Sequence, residues 1–101
     1  MEVFEAIAQP KRREILRLLA SGERSAGEVA ARFDVTQPAV SQHLKVLKTA
    51  GLVADRQVGT RRIYEVDRDG LAGVRAYFDR FWREAMTGFK ETVERKHEDL
   101  A

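Results

Sequence analysis

A mainly α chain with a small β-hairpin is the fold class the sequence predicts, and three observations predict it. Apolar residues recur at helical spacing along most of the length, and a spacing of two replaces it over residues 52–66. A short capped helix also stands directly before a longer capped one. Two helices joined by a tight turn and followed by a hairpin make a winged helix-turn-helix, which leaves N- and C-terminal helices to form a dimer interface. At 101 residues the chain reads as a single domain, 1–101. Within it the helix-turn-helix falls at about 25–50, the wing at about 52–66 and a C-terminal dimerisation helix at about 70–97.

Residues 2–8 (EVFEAIA) give a short helix with Val3, Phe4, Ile7 and Ala8 along one side. Pro10 restarts the chain, because it disfavours helix at Gln9 and is well accommodated at the first position of a new helix. That helix turns Ile15, Leu16 and Leu19 inward and ends near Ser21-Gly22. Lys11, Arg12 and Arg13 read as a solvated face in preference to phosphate contacts.

Ser25-Ala-Gly-Glu28 is a capping box, in which hydroxyl and carboxylate satisfy each other's backbone donors. It opens a helix carrying Val29, Ala30 and Phe33 to the core, and Asp34-Val35 makes the tight connection. Thr36 caps the next helix, with Pro38 in its first turn and Gly51 placed to end it. Val40, Leu44 and Leu47 recur at i, i+4 and i+7 as one buried stripe. Pro38, Gln42, Lys45 and Thr49 fall opposite, with Gln37 and Ser41 on a flank. This polar side lacks acidic residues and suits a DNA groove or water.

LVADRQV and RRIYEV flank Gly59-Thr60, and glycine first in a two-residue loop fits a type II′ hairpin turn. Arg56, Arg61 and Arg62 make the hairpin tip basic, as a wing that lies along phosphates or enters the minor groove would be. The last helix starts at a cap on Asp67 or Asp69, with an irregular first turn around Gly70 and Gly73. Its apolar stripe runs through Leu71, Val74, Phe78, Phe81, Trp82, Ala85, Phe89 and Val93, widened by Tyr77 and Met86. Roughly 25 residues of helix span about 38 Å, more than a small winged domain can cover. Part of the stripe is therefore expected to pack on a second copy, with Val3, Phe4, Ile7, Phe78, Phe81, Trp82, Ala85 and Phe89 at the dimer interface. The charged tail ERKHEDLA is expected to fray.

Composition narrows the function. Apolar residues make up 44% and charged residues 34%, as in a water-soluble ordered protein, and no apolar run reaches the length of a membrane span. The start does not resemble a signal peptide, so the expected compartment is the cytoplasm. With no cysteine, disulfides and thiolate metal sites are excluded. The net charge is +2, but residues 36–64 hold Lys45, Lys48, Arg56, Arg61 and Arg62 against Asp55 alone, a local +4. Such a segment is the electrostatic footprint expected for a polyanion.

The sequence resembles the ArsR/SmtB-type family of bacterial winged-helix repressors. The likeness rests on Ala8-Gln9-Pro10 with Arg12-Arg13-Glu14-Ile15-Leu16, on Gln37 to Leu47, on Ala50-Gly51-Leu52-Val53 and on the wing from Arg56 to Tyr64. It covers residues 3 to about 66, and the last helix only by type. The resemblance implies a homodimer joined through its first and last helices, with double-stranded DNA as partner and one recognition helix per major groove. It places Gln37, Ser41 and Gln42 at base-reading and backbone-contacting positions, where a glutamine amide can pair with adenine. Thr36, Lys45, Lys48, Arg56, Arg61 and Arg62 join them as further DNA-binding residues, and His43 as a packing or phosphate residue.

Metal sensing, for which the family is known, departs from this sequence. The family's early thiolate pair is absent, since Ser25-Ala-Gly-Glu28-Val29 has no cysteine. Its last-helix site would fall on Glu84, Met86, His97 and Leu100, too few donors for a metal. No metal, cofactor or catalytic residue is expected, and the chain looks like a member that represses without a metal. Two other functions compete: a winged-helix module for protein contacts, and a ligand- or metal-responsive repressor with a non-standard site. An enzyme is not expected, as only two histidines are present, far apart, and no phosphate-cradling glycine motif.

Overall fold

The computed structural model describes residues 2–100, which form five helices and three strands. In chain order these are α1 (Val3–Ala8), α2 (Pro10–Ala20), β1 (Arg24–Ser25), α3 (Ala26–Phe33), α4 (Gln37–Thr49), β2 (Val53–Val58), β3 (Arg61–Val66) and α5 (Arg68–Leu100). The chain divides after Leu71 into two compact units, a winged unit and the remainder of α5. Among the described residues no helix is long and apolar enough to cross a membrane.

Local rules set most helix ends in the winged unit. The Glu2 carboxylate caps α1 by accepting from the Phe4 N–H at 3.2 Å. Gln9 caps α2 in the same way, accepting from the Lys11 N–H at 3.1 Å, and Pro10 takes the first helical position. The α1 seam differs from the sequence expectation: Ala6 is the buried residue, Val3, Phe4 and Ile7 are half-buried, and Ala8 is exposed. Val3, Ala6 and Ile7 lie at i, i+3 and i+4, which puts Ala8 off that face.

Arg13 is exposed as expected and Arg12 is half-buried, but both also bond the end of α1. The Arg12 Nε–H donates to the Ala6 carbonyl at 2.6 Å, and Arg13 Nη1 donates to Ile7 and Ala8 carbonyls at 2.8 and 3.0 Å. These are the acceptors that a helix leaves without partners at its C-terminus. Since α1 has no basic residue in its own last turn, α2 supplies the charge that suits the negative end of its dipole. Lys11 pairs with Glu14 at 2.9 Å and sits 5.2 Å from the centre of the Phe33 ring.

The capping box of α3 is complete: Ser25 Oγ accepts from the Glu28 N–H at 3.2 Å, and Glu28 Oε1 accepts from the Ser25 N–H at 3.1 Å. Asp34 closes α3 in the left-handed conformation at φ 53°, and Thr36 Oγ1 caps α4 through the Ala39 N–H at 3.3 Å. At the other end of α4, Gly51 takes φ 80°. The Gly51 N–H reaches the Lys48 carbonyl and the Leu52 N–H the Leu47 carbonyl, each at 3.0 Å, which is a Schellman turn. Leu47 and Leu52, the two residues such a turn brings together, are both fully buried.

The core is formed by Ile15 and Leu19 of α2, Val29 and Ala30 of α3, Val40, Leu44 and Leu47 of α4, and Leu52 and Val53 entering the wing. Each large side chain among them contributes about 1.5–3 kcal/mol by leaving water. Leu16 and Phe33, expected inward, are half-buried at its margin.

The expected hairpin is present as β2 and β3, and β1 adds a third antiparallel strand beside β3, in the order β1-β3-β2. Val53 faces Val66 and Val58 faces Arg61, so Gly59 and Thr60 form the predicted two-residue loop. Gly59 has φ 61° while Thr60 is not in the positive-φ region, as a type II′ turn requires. Arg24 and Ser25 pair with Tyr64 and Ile63, binding the start of α3 to the wing.

At the start of α5, Asp67 Oδ1 accepts from the Gly70 N–H at 3.1 Å and is the cap. The first turn is regular helix through Gly70 and Gly73, where the sequence suggested irregularity. A Cβ on Gly70 would stand 1.8 Å from the Gly51 carbonyl oxygen, so only glycine lets these two backbones meet. In the second unit α5 continues as helix through the tail expected to fray, up to Leu100; Ala101 lies outside the described residues.

Candidate nucleic-acid interface

The helix-turn-helix is built so that one side of α4 cannot turn inward. Val40, Leu44 and Leu47 are fully buried, which fixes the rotation of the helix and leaves Gln37, Ser41, Gln42, Lys45 and Lys48 exposed. Among the described residues, the side chains of Gln37, Ser41, Gln42 and Lys45 have no hydrogen-bond or ion-pair partner. These four therefore offer amide, hydroxyl and ammonium groups outward without an internal bond to break. Thr36 is exposed too, but its hydroxyl is taken by the cap.

An open groove runs beside this face, between the start of α3, the first turns of α4 and the wing. Gly27, Gln37, Ser41, Arg61, Arg62 and Tyr64 contribute to its lining, and its volume is about 340 Å³. A Cβ on Gly27 would lie 3.4 Å from Gln37 Oε1, an ordinary contact, so the start of α3 passes close to the Gln37 side chain.

The wing is less basic than the sequence suggested, because folding brings acidic residues to each of its cations. Arg56 bonds Glu23 at 2.7 Å and lies 3.4 Å from Glu65. Arg61 pairs with Glu28, the capping-box carboxylate, and reaches Ser25 Oγ at 3.2 Å. Arg62 and Lys48 share Asp55, whose two oxygens lie 3.0 and 2.9 Å from them. Asp55 lies opposite Tyr64, so Arg62 is its diagonal neighbour across the ladder, and Glu65 stands diagonally to Arg56 in the same way. The +4 counted along residues 36–64 is thus opposed in space by Glu23, Glu28 and Glu65, which lie outside that stretch.

Electrostatic surroundings follow these pairs. Glu28 is held below the ordinary carboxylate range chiefly by hydrogen bonds from the Ser25 backbone and hydroxyl, with Arg61 adding to them. Asp55 is lowered by hydrogen bonds from Lys48 and then Arg62, and its side chain is only 9% exposed. The Arg56 guanidinium is raised by Glu23 and then Glu65.

His43 stands apart from the rest of the candidate set. It is half-buried, and burial, then Arg12, then Lys11 push its pKa below the usual value. Burial beside Arg12 and Lys11 disfavours the imidazolium, which suits the packing role expected for His43 better than the phosphate one. Among the described residues no group of three His, Asp or Glu side chains is placed to hold a metal ion. The Leu100 side chain, at one of the family's metal positions, lies outside those described.

Of the interface candidates in the winged unit, Val3, Phe4 and Ile7 share α1. Phe78, Phe81, Trp82, Ala85 and Phe89 share α5 in the second unit and are exposed, with Trp82 at 65% and Phe89 at 63%. Sequence reasoning missed Glu23, Glu28, Asp55 and Glu65 as partners of the cationic side chains. Arg56 and Glu23 are 33 residues apart, and nothing in the local pattern signals their meeting.

A capped helix pair with an exposed polar second helix and an adjoining hairpin defines a winged helix-turn-helix regulator. The chain belongs to the ArsR family: the sequence model described as "Bacterial regulatory protein, arsR family" matches residues 9–55. It is 49% identical over 96 residues to the HTH-type transcriptional regulator Rv2034 of Mycobacterium tuberculosis, covering 95% of this chain and 90% of the relative. The transcriptional repressor SdpR of Bacillus subtilis is 40% identical over 65 residues, 64% of this chain and 72% of that one. The crystal structure of a possible transcriptional regulator for arsenical resistance superposes with TM-score 0.75 at 46% identity, over 81% of this chain and 85% of the other. The homodimeric winged helix-turn-helix DNA-binding domain Mb0332 of Mycobacterium bovis gives TM-score 0.67 at 34% identity, over 81% and 76% of the two chains. The family consists of regulatory proteins, not enzymes.

Proposed function

We propose that this protein is a homodimeric, sequence-specific repressor that binds an inverted-repeat DNA operator in the cytoplasm without needing a metal. The observation that carries this reading is the outward face of α4, where Gln37, Ser41, Gln42 and Lys45 are exposed and have no partner among the described residues. Gln42 and Gln37 have the amide pair that recognises adenine, Ser41 bonds a phosphate or base edge, and Lys45 neutralises a phosphate. Lys48, Arg56, Arg61 and Arg62 reach phosphates by exchanging their carboxylates. The pairs Arg56–Glu23 and Arg61–Glu28 are exposed on both sides and worth only about 0–1 kcal/mol each, so their exchange is inexpensive. His43 is left out of the contacts.

Two copies are needed because α5 exposes Phe81 at 54%, Trp82 and Phe89 to water, and the M. bovis neighbour is itself homodimeric. Two-fold symmetry sets the half-sites one helical turn, roughly 34–36 Å, apart, and bound protein occludes polymerase. Metal independence is supported by the absence of cysteine from the sequence. The protein-contact module is disfavoured because the outward side of α4 is polar rather than apolar.

Selection of bound sites from a random duplex pool, followed by titration of the selected duplex across salt, tests the reading. An inverted repeat should emerge, and log K should fall linearly with log salt. A pool that yields no consensus, or binding indifferent to salt, would overturn it.

A further inference from the structure

We propose that Asp55 is a specificity-determining residue that acts by occupying Lys48 and Arg62 until a cognate site draws them away. The inference rests on the DNA-binding reading above and adds a role for a carboxylate that touches no DNA in it.

Asp55 is placed for this. One oxygen holds Lys48, in the last turn of α4, at 2.9 Å; the other holds Arg62, near the tip of β3, at 3.0 Å. Its side chain is 9% exposed while Lys48 and Arg62 are 53% and 50% exposed. The anion is thus recessed and the cations point to the surface, so a phosphate can reach them while their partner stays behind. No carboxylate holds Lys45, one turn earlier on α4, among the described residues. The cations therefore fall into two sets, one free and one occupied.

Counterion release gives these sets different consequences. A free cation contributes to binding on any duplex, while an occupied one contributes only where the gain exceeds the loss of its ion pair. On random DNA the wing is not pulled into register and Asp55 keeps its partners. On a cognate site the contacts of Gln37 and Gln42 seat α4, and the phosphates beside the wing replace Asp55. Sequence discrimination is thereby raised by lowering the affinity for everything else, since specificity is a difference between affinities.

The test compares Asp55→Asn with the wild-type dimer on a random-sequence duplex and on the duplex selected from a random pool. On random DNA, Asp55→Asn should bind on the order of threefold to tenfold more tightly, from two released ion pairs. Its salt slope there should steepen by about 0.9 per released cation. On the selected duplex the slope should stay as in the wild type. Glu5→Gln, which changes net charge equally on exposed α1, should leave both slopes alone, and Asp55→Glu should restore the wild-type slope. Equal slopes for Asp55→Asn and wild type on random DNA overturn the proposal, as do equal changes on both duplexes. If Asp55→Asn fails to fold, Arg62→Ala decides: the slope should fall by about 0.9 on the selected duplex only, and an equal fall on both overturns the proposal. Failure of the wild type to bind either duplex defeats the DNA-binding reading itself, and this inference with it.

Discussion

The Gly70 α-carbon faces the Gly51 carbonyl oxygen so closely that a methyl group built on it would lie 1.8 Å away. Two glycines of different kinds meet here, one required by its neighbour and the other by its own φ of 80°. Glycine inside a helix normally costs about 0.5–1 kcal/mol relative to alanine. At Gly70 the sign reverses: Gly70→Ala should destabilise by roughly 1–3 kcal/mol, as overpacking does. A Cβ built on Gly73 would meet nothing within 4 Å among the described residues outside its own helix backbone, so Gly73→Ala should stabilise by about 0.5–1 kcal/mol. Denaturant titrations of the two variants check both signs.

Gln42 and Lys45 lie three residues apart on the same exposed side of α4 and should fail differently. Gln42→Ala should relax discrimination at one or two base pairs, by about 1–3 kcal/mol, with little change on random DNA. Lys45→Ala should weaken both by a similar factor and reduce the salt slope by about 1. Binding of each variant to selected and scrambled duplexes separates these patterns.

Trp82, 65% exposed, should anchor the subunit interface. Trp82→Ala should weaken dimerisation by about 2 kcal/mol or more, roughly thirtyfold, as seen for buried aromatic anchors. Sedimentation equilibrium across protein concentration measures this, with circular dichroism confirming that the helices remain.

Protonation of His43 should oppose folding. Its folded pKa lies below the ordinary 6.5, because burial, Arg12 and Lys11 disfavour the cation. The unfolded chain then takes up the proton first, so stability falls as pH drops from above 6.5 toward the folded value. Histidine resonances followed by NMR should show His43 titrating below that ordinary value, and His43→Leu should flatten this part of the stability profile. The lowered carboxylates Glu28 and Asp55 act further down: their contribution is full above the ordinary carboxylate pKa and is lost as pH falls through the folded values.

Arg12 should hold α1 in place. Arg12→Ala removes the donor to the Ala6 carbonyl and should cost roughly 1 kcal/mol, concentrated in α1. Hydrogen exchange should quicken over Val3–Ala8 and change little in α4.

What could be read in advance followed the range of the interaction. Thr36, Ser25 with Glu28, Gly51 and Gly59 act on residues within a few positions, so their roles in caps and turns were visible in the chain itself. Val40, Leu44 and Leu47 were legible because one face of a helix repeats. Ala6 was not, since a small side chain carries little hydropathic signal. The pairing of Arg24 and Ser25 with β3 was also hidden, because two residues are too few to show a period. The wing's charge was misjudged for a related reason: counting along the chain includes Asp55 but leaves out Glu23, Glu28 and Glu65, which arrive only on folding. The exposed side of α4 was predicted by exclusion, as the part of the helix that burial does not claim.

The strand order β1-β3-β2 leaves β2 at an open edge, and β1 covers only part of the other side of β3. Asp55, Arg56 and Gln57 occupy the middle of β2, and Arg61 and Arg62 begin β3. A second sheet docking edge-on would have to bring such charged side chains alongside its own. The wing should therefore resist strand-to-strand aggregation, and a concentrated preparation should stay free of thioflavin-positive material while the fold is intact.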